Sequence, residues 1–117
     1  MLEINTAESG EIQILSIVGR LDSSSSSKFE NVVLDLINSG KTKLVFDLSA
    51  LEYISSAGLR VLLVVVKRVK PAEGALVLCG VNAMINEVFD ICGFTDLFKI
   101  TPDQDGAVAT FDCNDSA

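Results

Sequence analysis

The chain has 117 residues with 16 acidic and 9 basic side chains and no histidine, so its formal net charge is −7. This length fits one domain of ordinary size, and a hydrophobic content of 49% is typical of a globular chain. The acidic balance argues against nucleic-acid binding, which normally uses a basic surface. The lack of histidine excludes Ser-His-Asp and Cys-His catalysis and every histidine-containing metal site.

Cysteine usage predicts a reducing compartment. Cys79, Cys92 and Cys113 form no CxxC pair, so neither zinc ligation nor a disulfide framework is expected. Cys79 and Cys92 are predicted to be small buried hydrophobes, and Cys113 an incidental thiol on the tail. Residues 1–20 show no signal peptide, and no apolar run approaches the roughly 20 residues of a membrane span. We therefore expect a cytoplasmic protein that does not insert into a membrane.

The N-terminal region predicts a β-hairpin followed by an amphipathic helix. Alternating apolar residues indicate strands at 2–8 and 11–18. Gly19-Arg20-Leu21-Asp22 is expected to end the second strand, and the serines at 23–27 to form a loop in which one serine caps the helix. Gly40 is predicted to be the left-handed cap at the end of that helix. The apolar face of the helix consists of Phe29, Val32, Val33, Leu36 and Ile37.

The middle of the chain predicts a buried strand, a connection and a second helix. Residues 44–48 form a continuous apolar run, as in a central parallel strand buried on both faces, and 49–54 are expected to be a short connection. The next segment is apolar nearly all round. We predict a helix over 58–69, because the run is long for a strand and its end carries the cations that a helix C-terminus favours. The β-branched residues at 61–66 make a strand the alternative.

The C-terminal third predicts strands at 75–79 and 97–100, with a helix between them that Gly93 caps. The apolar residues of that helix are Val81, Met84, Ile85, Val88 and Phe89. Thr101-Pro102-Asp103-Gln104 has the form of a capping box with Thr101 at the N-cap. A short acidic helix should follow, and its inward residues are expected to be Ala107, Val108 and Phe111.

Together these elements predict a single-domain α/β fold. The sheet should be mixed and mostly parallel, with an N-terminal β-hairpin and about four helices. The domain is expected to span 1–112, followed by a short C-terminal tail at 113–117.

One edge of this sheet should gather the residues that carry function. The strands that end after Val18 and Leu48 should meet there, which brings Arg20-Leu21-Asp22 towards Ser55 and Ser56. A hydroxyl at a helix N-terminus faces unpaired N–H groups that favour an anion such as phosphate; the alternative is that one of the two serines is only an N-cap. No nucleotide-binding loop, HExxH motif or hydrolase carboxylate pair is present, so no enzyme, cofactor or metal is expected.

The segment from Asp47 to Arg60 resembles the signature of the STAS domains, and specifically of stand-alone anti-sigma factor antagonists. That signature is a strand followed by Asp-Leu-Ser, two spaced hydrophobic residues and Asp-Ser-Ser-Gly-Leu. The matching residues here are Asp47-Leu48-Ser49, Leu51, Ile54 and Ser55-Ser56-Ala57-Gly58-Leu59. The resemblance covers about residues 2–112, and further matches are Gly19-Arg20-Leu21-Asp22 and Gly93-Phe94-Thr95-Asp96-Leu97-Phe98.

The resemblance implies a STAS-like fold with a regulatory serine. Ser56 falls on the family's phosphorylated serine, Ala57 on its second serine and Asp22 on the loop acid near the phosphosite. Ser55 stands where the family has aspartate, which makes Ser55 an alternative phosphoacceptor. The residues that the resemblance implies for partner binding are Arg20, Asp22, Ser55, Ser56, Ala57, Gly58 and Arg60.

The resemblance also implies a partner switch. The unphosphorylated domain would bind an anti-sigma factor that is itself a serine kinase, phosphorylation would end that binding, and a PP2C-type phosphatase would restore it. The domain would be a substrate and a ligand, without catalytic residues of its own. Two alternatives are a STAS subunit of an ABC-type transport or lipid-trafficking complex that binds constitutively, and a sensory module that binds a nucleotide at the edge formed by Asp22 and Ser56.

Overall fold

A sheet of six strands forms the framework of the computed structural model, which describes residues 2–93 and 99–115 and the side chains of all of these except 92 and 110–115. The strands are β1 (Leu2–Ser9), β2 (Ile12–Leu21), β3 (Lys43–Asp47), β4 (Leu51–Ile54), β5 (Ala75–Cys79) and β6 (Lys99–Thr101). The helices are α1 (Ser23–Asn38), α2 (Ser56–Val69), α3 (Ala83–Cys92) and α4 (Gln104–Asp115). In chain order the elements run β1-β2-α1-β3-β4-α2-β5-α3-β6-α4.

The sheet is mixed and mostly parallel, as predicted. β1 and β2 form the antiparallel N-terminal hairpin, with Leu2 opposite Gly19. The strand order is β1-β2-β3-β5-β6, and each neighbouring pair after the hairpin is parallel. β4 is not part of this order because it pairs with the same edge of β2 as β3 does, further along the strand. β3 pairs with β2 as far as Ser16, and β4 pairs with β2 from Gly19 to Leu21.

Helices cover both faces of the sheet, so the domain has two apolar layers. On one face α1, α2 and α3 bury the larger cluster, in which Phe29 packs edge-on against Phe46 with 5.3 Å between the ring centroids. On the other face α4 covers a smaller cluster that includes Val45 and Ala107. Val45 and Phe46 are neighbours in β3, so this strand is buried on both faces, as its continuous apolar sequence predicts.

α2 confirms the predicted helix, and the alternative strand is wrong. Its buried residues include Leu62 and Val65, and its last turn carries Lys67 and Arg68, where cations interact favourably with the helix dipole. The β-branched residues are tolerated because α2 packs against α1, β4 and β5, and this burial outweighs their weak helix propensity. Of the helices that the structure describes, none combines the length and apolarity needed to cross a membrane.

The sequence-based prediction is wrong at the end of β2 and across residues 49–54. β2 continues through Gly19-Arg20-Leu21, which were expected to end it, and the expected connection contains β4. The two segments pair with each other, and the Ser55 N–H donates to the Leu21 carbonyl at 2.9 Å. A four-residue strand with two exposed central side chains has no alternating pattern, so only its pairing partner reveals it.

α1 begins earlier than predicted, because Asp22 and not a serine is its N-cap. Asp22 Oδ1 accepts hydrogen bonds from the N–H groups of Ser24 at 3.1 Å and Ser25 at 3.0 Å, and the Ser25 hydroxyl accepts from the Asp22 N–H at 3.0 Å. This capping box satisfies free donors of the first turn. The serines at 23–27 are therefore helical rather than the predicted loop, although serine is a weak helix former.

Both glycine caps predicted from the sequence are confirmed. Gly40 has a φ of 94° and Gly93 a φ of 74°, a conformation that disfavours residues with a side chain. After α1, the Gly40 N–H donates to the Ile37 carbonyl at 3.0 Å. The Lys41 N–H donates to the Leu36 carbonyl at 2.9 Å and completes a Schellman motif.

α4 begins later than predicted, because Asp103 and not Thr101 is positioned to cap it. Asp103 Oδ1 accepts from the Gly106 N–H at 2.8 Å, whereas Thr101 lies in β6. Gln104 was expected to close a capping box, but its side chain bonds to the end of β3 instead. The helix extends to Asp115, into the stretch predicted as a tail.

Inward positions predicted for α4 are confirmed at Ala107, which is buried, and Val108, which packs beside it in the smaller cluster. The side chain of Phe111, also expected to face inward, lies outside the described residues. The same is true of residues 97–98, so β6 can be compared with its prediction only from Lys99 onward.

Cys79 is fully buried beneath α4, as predicted. Its burial, together with the nearby charges of Asp47 and Asp103, raises the pKa of the thiol to about 12. At neutral pH the group is therefore a protonated, poorly nucleophilic thiol. The side chain of Cys92 is not among those described.

Truncating a buried side chain of α2 tests how much this helix contributes to the core. Leu62 is 1% exposed, so Leu62→Ala should lower the free energy of unfolding by about 2–5 kcal/mol through lost contacts and a residual cavity. Ile91 is 79% exposed, and Ile91→Ala should change the free energy of unfolding by about 0.5 kcal/mol or less. Urea unfolding followed by circular dichroism measures both, and equal effects would contradict the burial of α2.

The Asp22 cap predicts a pH-dependent stability. The N–H of Ser25 and the hydroxyls of Ser24 and Ser25 bond to the carboxylate and lower the pKa of Asp22 from 3.8 to about 2. Because this folded-state pKa lies below the unfolded one, the stabilisation is complete above about pH 4 and is lost as the pH falls towards 2. Asp22→Asn keeps a capping acceptor without the charge, so its melting temperature should fall less over that interval than that of the wild type.

Asp22→Ala removes the cap itself and should lower the melting temperature by a few degrees at neutral pH as well. Asp22→Asn should lie between the wild type and Asp22→Ala there, because it keeps a capping acceptor but lacks the stabilising charge. Thermal melts at about pH 7, 4 and 2 separate the two effects, and parallel acid losses in the wild type and Asp22→Asn would show that the carboxylate is not the responsible group.

Candidate functional site

The ends of β2 and β4 place the starts of α1 and α2 side by side. β2 leads through Asp22 into α1, and β4 leads through Ser55 into α2. The strands are parallel neighbours, with Leu21 opposite Ile54 and the Ser55 N–H bonded to the Leu21 carbonyl. The structure thus brings together the two segments that the sequence analysis placed at one edge of the sheet.

Ser55 is the N-cap of α2, and its side chain is buried. Its Oγ atom accepts a hydrogen bond from the Gly58 N–H at 3.2 Å, and the residue is 9% exposed. Serine and aspartate are both strong N-cap residues. Serine can therefore take the N-cap position of α2, where the signature that the sequence resembles has aspartate.

Ser56 is the first residue of α2 and is exposed. Its hydroxyl has no hydrogen-bond partner within the described part of the chain. Together with Ala57, which is half-buried, and Arg60, which is exposed, it lines an open depression of about 310 Å³. Of the two serines, Ser56 is thus the one that a second protein can reach.

Gly58 is buried in the first turn of α2, beneath the surface that Ser56 presents. A Cβ atom at this position would lie 2.9 Å from Cγ and Cδ2 of Leu21 and 2.9 Å from Cγ1 of Ile54. The missing side chain lets the start of α2 approach β2 and β4 closely. Gly58, expected among the partner-binding residues, therefore has a packing position in the structure.

Asp22 is half-buried at the start of α1 and is not the loop residue that the sequence analysis expected. Four hydrogen bonds from Ser24 and Ser25 lower the pKa of Asp22 to about 2, so the carboxylate is ionised at neutral pH. A fixed negative charge therefore stands at the helix start next to that of α2. This charge is in place whether or not Ser56 is modified.

Arg20 and Tyr53 form an exposed pair on the face of the sheet that points away from α2. They are opposite each other on β2 and β4, and the Arg20 guanidinium carbon lies 4.8 Å from the centroid of the Tyr53 ring. This is cation–π geometry. Arg20 was predicted among the partner-binding residues and Tyr53 was not, because their contact depends on the unpredicted strand β4.

Asp47, the first residue of the Asp-Leu-Ser motif, has a structural role. Its Oδ1 atom accepts from the Ser49 N–H at 2.9 Å and its Oδ2 atom from Gln104 Nε2 at 2.6 Å. Burial raises the pKa of Asp47, but the hydrogen bonds from Ser49 and Gln104 outweigh it and hold the pKa below its ordinary value. The carboxylate fixes the turn after β3 and attaches α4 to the sheet.

A larger cavity of about 350 Å³ lies at the opposite end of β3, where it is lined by Gly10, Glu11 and residues 40–43, and Lys43 there is paired with Glu11 at 3.2 Å. Nowhere in the described ranges do three potential metal ligands cluster. The starts of α1 and α2 therefore remain the candidate site.

Comparison with known proteins places this geometry in a family. The family model for the STAS domain matches residues 3–107. BtrV of Bordetella bronchiseptica, named as a candidate anti-sigma factor antagonist, is 37% identical over 98 residues, which make up 84% of this chain and 84% of BtrV.

Solved structures agree with the fold. A candidate anti-sigma factor antagonist of Thermotoga maritima superimposes with a TM-score of 0.88 at 22% identity, over 92% of each chain. The Bacillus cell fate determinant SpoIIAA, solved in its phosphorylated form, gives a TM-score of 0.73 at 15% identity, over 95% of this chain and 99% of SpoIIAA. The chain therefore belongs to the STAS domain family, and over most of its length it is similar to proteins named as anti-sigma factor antagonists.

Proposed function

We propose that this protein is an anti-sigma factor antagonist that phosphorylation of Ser56 switches off. The observation that carries the proposal is the contrast between the two adjacent serines. Ser55 is buried and engaged as an N-cap, whereas Ser56 is exposed and unbonded within the described residues. By the resemblance of the sequence to the family signature, Ser56 falls on the family's phosphorylated serine. The similarity to BtrV along 84% of both chains supports the same role.

The start of α2 can accept a phosphate without unfolding. A phosphate on Ser56 would stand at the positive end of the helix dipole, where an anion gains about 0.3–1 kcal/mol. SpoIIAA, which shares the fold, has been solved in a phosphorylated form. Modification should therefore change the surface of the domain and leave its core intact.

The charge change would act against a bound partner. Phosphorylation adds about −1.5 to −2 charges at neutral pH, next to the ionised Asp22 and on a chain whose net charge is already −7. A partner surface that fits a neutral hydroxyl would then meet a phosphate dianion, whose desolvation is costly. Binding is thus confined to the unphosphorylated form.

The proposed partners supply the chemistry that this chain lacks. An anti-sigma factor with serine kinase activity would transfer the γ-phosphoryl group of ATP to Ser56 Oγ, releasing ADP and the hydroxyl proton. A PP2C-type phosphatase would hydrolyse the ester and return the serine. In this cycle the domain is a cytoplasmic ligand and substrate, and it needs no catalytic residue of its own.

Phosphorylation assays with the cognate kinase test the assignment of Ser56. The wild type should take up one phosphate from ATP, Ser56→Ala should take up none but still bind the kinase, and Ser56→Asp should fold normally and bind at least about tenfold more weakly. Phosphopeptide mass spectrometry and calorimetric titration give these results directly.

Ser55→Ala is the matched control. It should lower the free energy of unfolding by about 0.5–2 kcal/mol through loss of the N-cap, yet still be phosphorylated at Ser56. Phosphate on Ser55 of the wild type would mean that the register is off by one residue. If neither serine is modified and Ser56→Asp binds like the wild type, a constitutive transport or lipid-trafficking subunit becomes the better explanation.

A further inference from the structure

The outward side of α2 is the basic region of an acidic protein. Four of the nine basic residues, and none of the acidic ones, lie in α2 and its C-cap. All four are exposed: Arg60, Lys67, Arg68 and Lys70. We call these four residues the basic face; the half-buried Leu63 and Val64 lie between them.

No carboxylate of the described residues lies within 4.0 Å of any of these four cations. The ion pairs found in the described ranges, Lys41 with Glu8 and Lys43 with Glu11, include none of these four cations. Within the part of the chain that the structure describes, the basic face therefore has no ion-pair partner.

Helix electrostatics explain three of the four cations but not Arg60. Lys67, Arg68 and Lys70 are at the C-terminal end of α2, where the helix dipole favours positive charge. Arg60 is in the second turn, near the positive end of the same dipole, where a cation gains nothing. The helix dipole therefore does not stabilise the charge of Arg60, and an anion outside α2 would.

We propose that Arg60 alternates between two anions: a carboxylate of the partner protein while Ser56 is unmodified, and the phosphate once Ser56 is phosphorylated. The basic face would dock an acidic surface of the anti-sigma factor, with Leu63 and Val64 as its apolar centre. This inference rests on the proposed function. The partner is assigned as acidic because an unpaired basic helix face on a chain of charge −7 selects for complementary charge.

The spacing of Ser56 and Arg60 supports the exchange. Residues four apart are neighbours on one side of a helix, and an anion N-terminal to a cation is the favoured order. Both residues line the same open depression. The planar guanidinium can bind phosphate oxygens through two parallel hydrogen bonds, so the phosphate would capture Arg60 and remove a contact from the partner.

The intramolecular half of the proposal can be tested without a partner. Phosphoserine is incorporated at position 56 during translation, and its second pKa is measured by ³¹P NMR titration. Arg60 should lower that pKa by about 0.3 unit relative to Arg60→Gln. Lys67→Gln, on the same side of α2 but two turns further from Ser56, should leave the pKa unchanged. Equal values for the wild type and Arg60→Gln would overturn the exchange.

The intermolecular half uses the purified anti-sigma factor kinase and unphosphorylated protein. Arg60→Glu should weaken binding at least about tenfold, and the affinity of the wild type should fall with salt more steeply than that of the variant. Lys99→Glu, an identical charge change on the exposed edge strand β6, should have little effect. Equal losses from both variants would overturn the docking surface.

Two further probes separate the partner classes. The wild type should bind neither double-stranded DNA nor vesicles containing phosphatidylserine through Arg60. Binding to DNA or to vesicles that Arg60→Glu abolishes would overturn the assignment of an acidic protein partner. The proposed function fails separately, namely if the kinase phosphorylates neither serine, whereas phosphorylation of Ser56 with an unchanged phosphoserine pKa in Arg60→Gln would reject only the exchange.

Discussion

The parallel pairing of β4 with the end of β2 is the constraint on which the functional surface depends. It covers three residues of β2 and is extended by the hydrogen bond from the Ser55 N–H to the Leu21 carbonyl. Because both strands run directly into helices, this short ladder determines where α1 and α2 begin. Without it, the Asp22 carboxylate and the Ser56 hydroxyl would belong to separate connections and would not share a surface.

The two helix starts divide their tasks between neighbouring residues. At α2, Ser55 satisfies a backbone donor from inside the fold, which leaves Ser56 free for contact with solvent. At α1, Asp22 satisfies two donors and keeps its charge at the edge of the same surface. Separating the structural acceptor from the exposed hydroxyl means that chemistry on Ser56 need not disturb the cap that holds the helix in place.

Strong, continuous patterns predicted the central elements from the sequence alone. β3 and β5 follow from apolar runs between turn signals, and α2 from an apolar segment too long for a strand that ends in cations. The features that the sequence did not reveal are those that depend on contacts with residues distant in the chain. β4 exists because β2 offers it an edge, and Gln104 leaves its expected cap because Asp47, 57 positions away, accepts its amide.

For the site, the sequence placed the two serines and Asp22 at one edge but could not assign their tasks. Either serine could have been the N-cap, and only the burial of Ser55 and its bond to the Gly58 N–H distinguish them. The five-serine run hid the Asp22 cap for a similar reason, since serine is equally at home in loops and at N-caps. Local propensity allows more than one residue to be the N-cap, and tertiary packing determines which of them it is.

The buried thiol of Cys79 can report how often the domain opens locally. Alkylating reagents react with exposed thiolates, and this sulfur is both protonated at neutral pH and covered by α4 on one face of the sheet. Its modification must wait for the layer between α4 and the strands to open. The rate at which Cys79 is alkylated can be resolved by peptide mass spectrometry. That rate therefore reports how often the layer between α4 and the strands opens in the native state, and it needs no introduced probe.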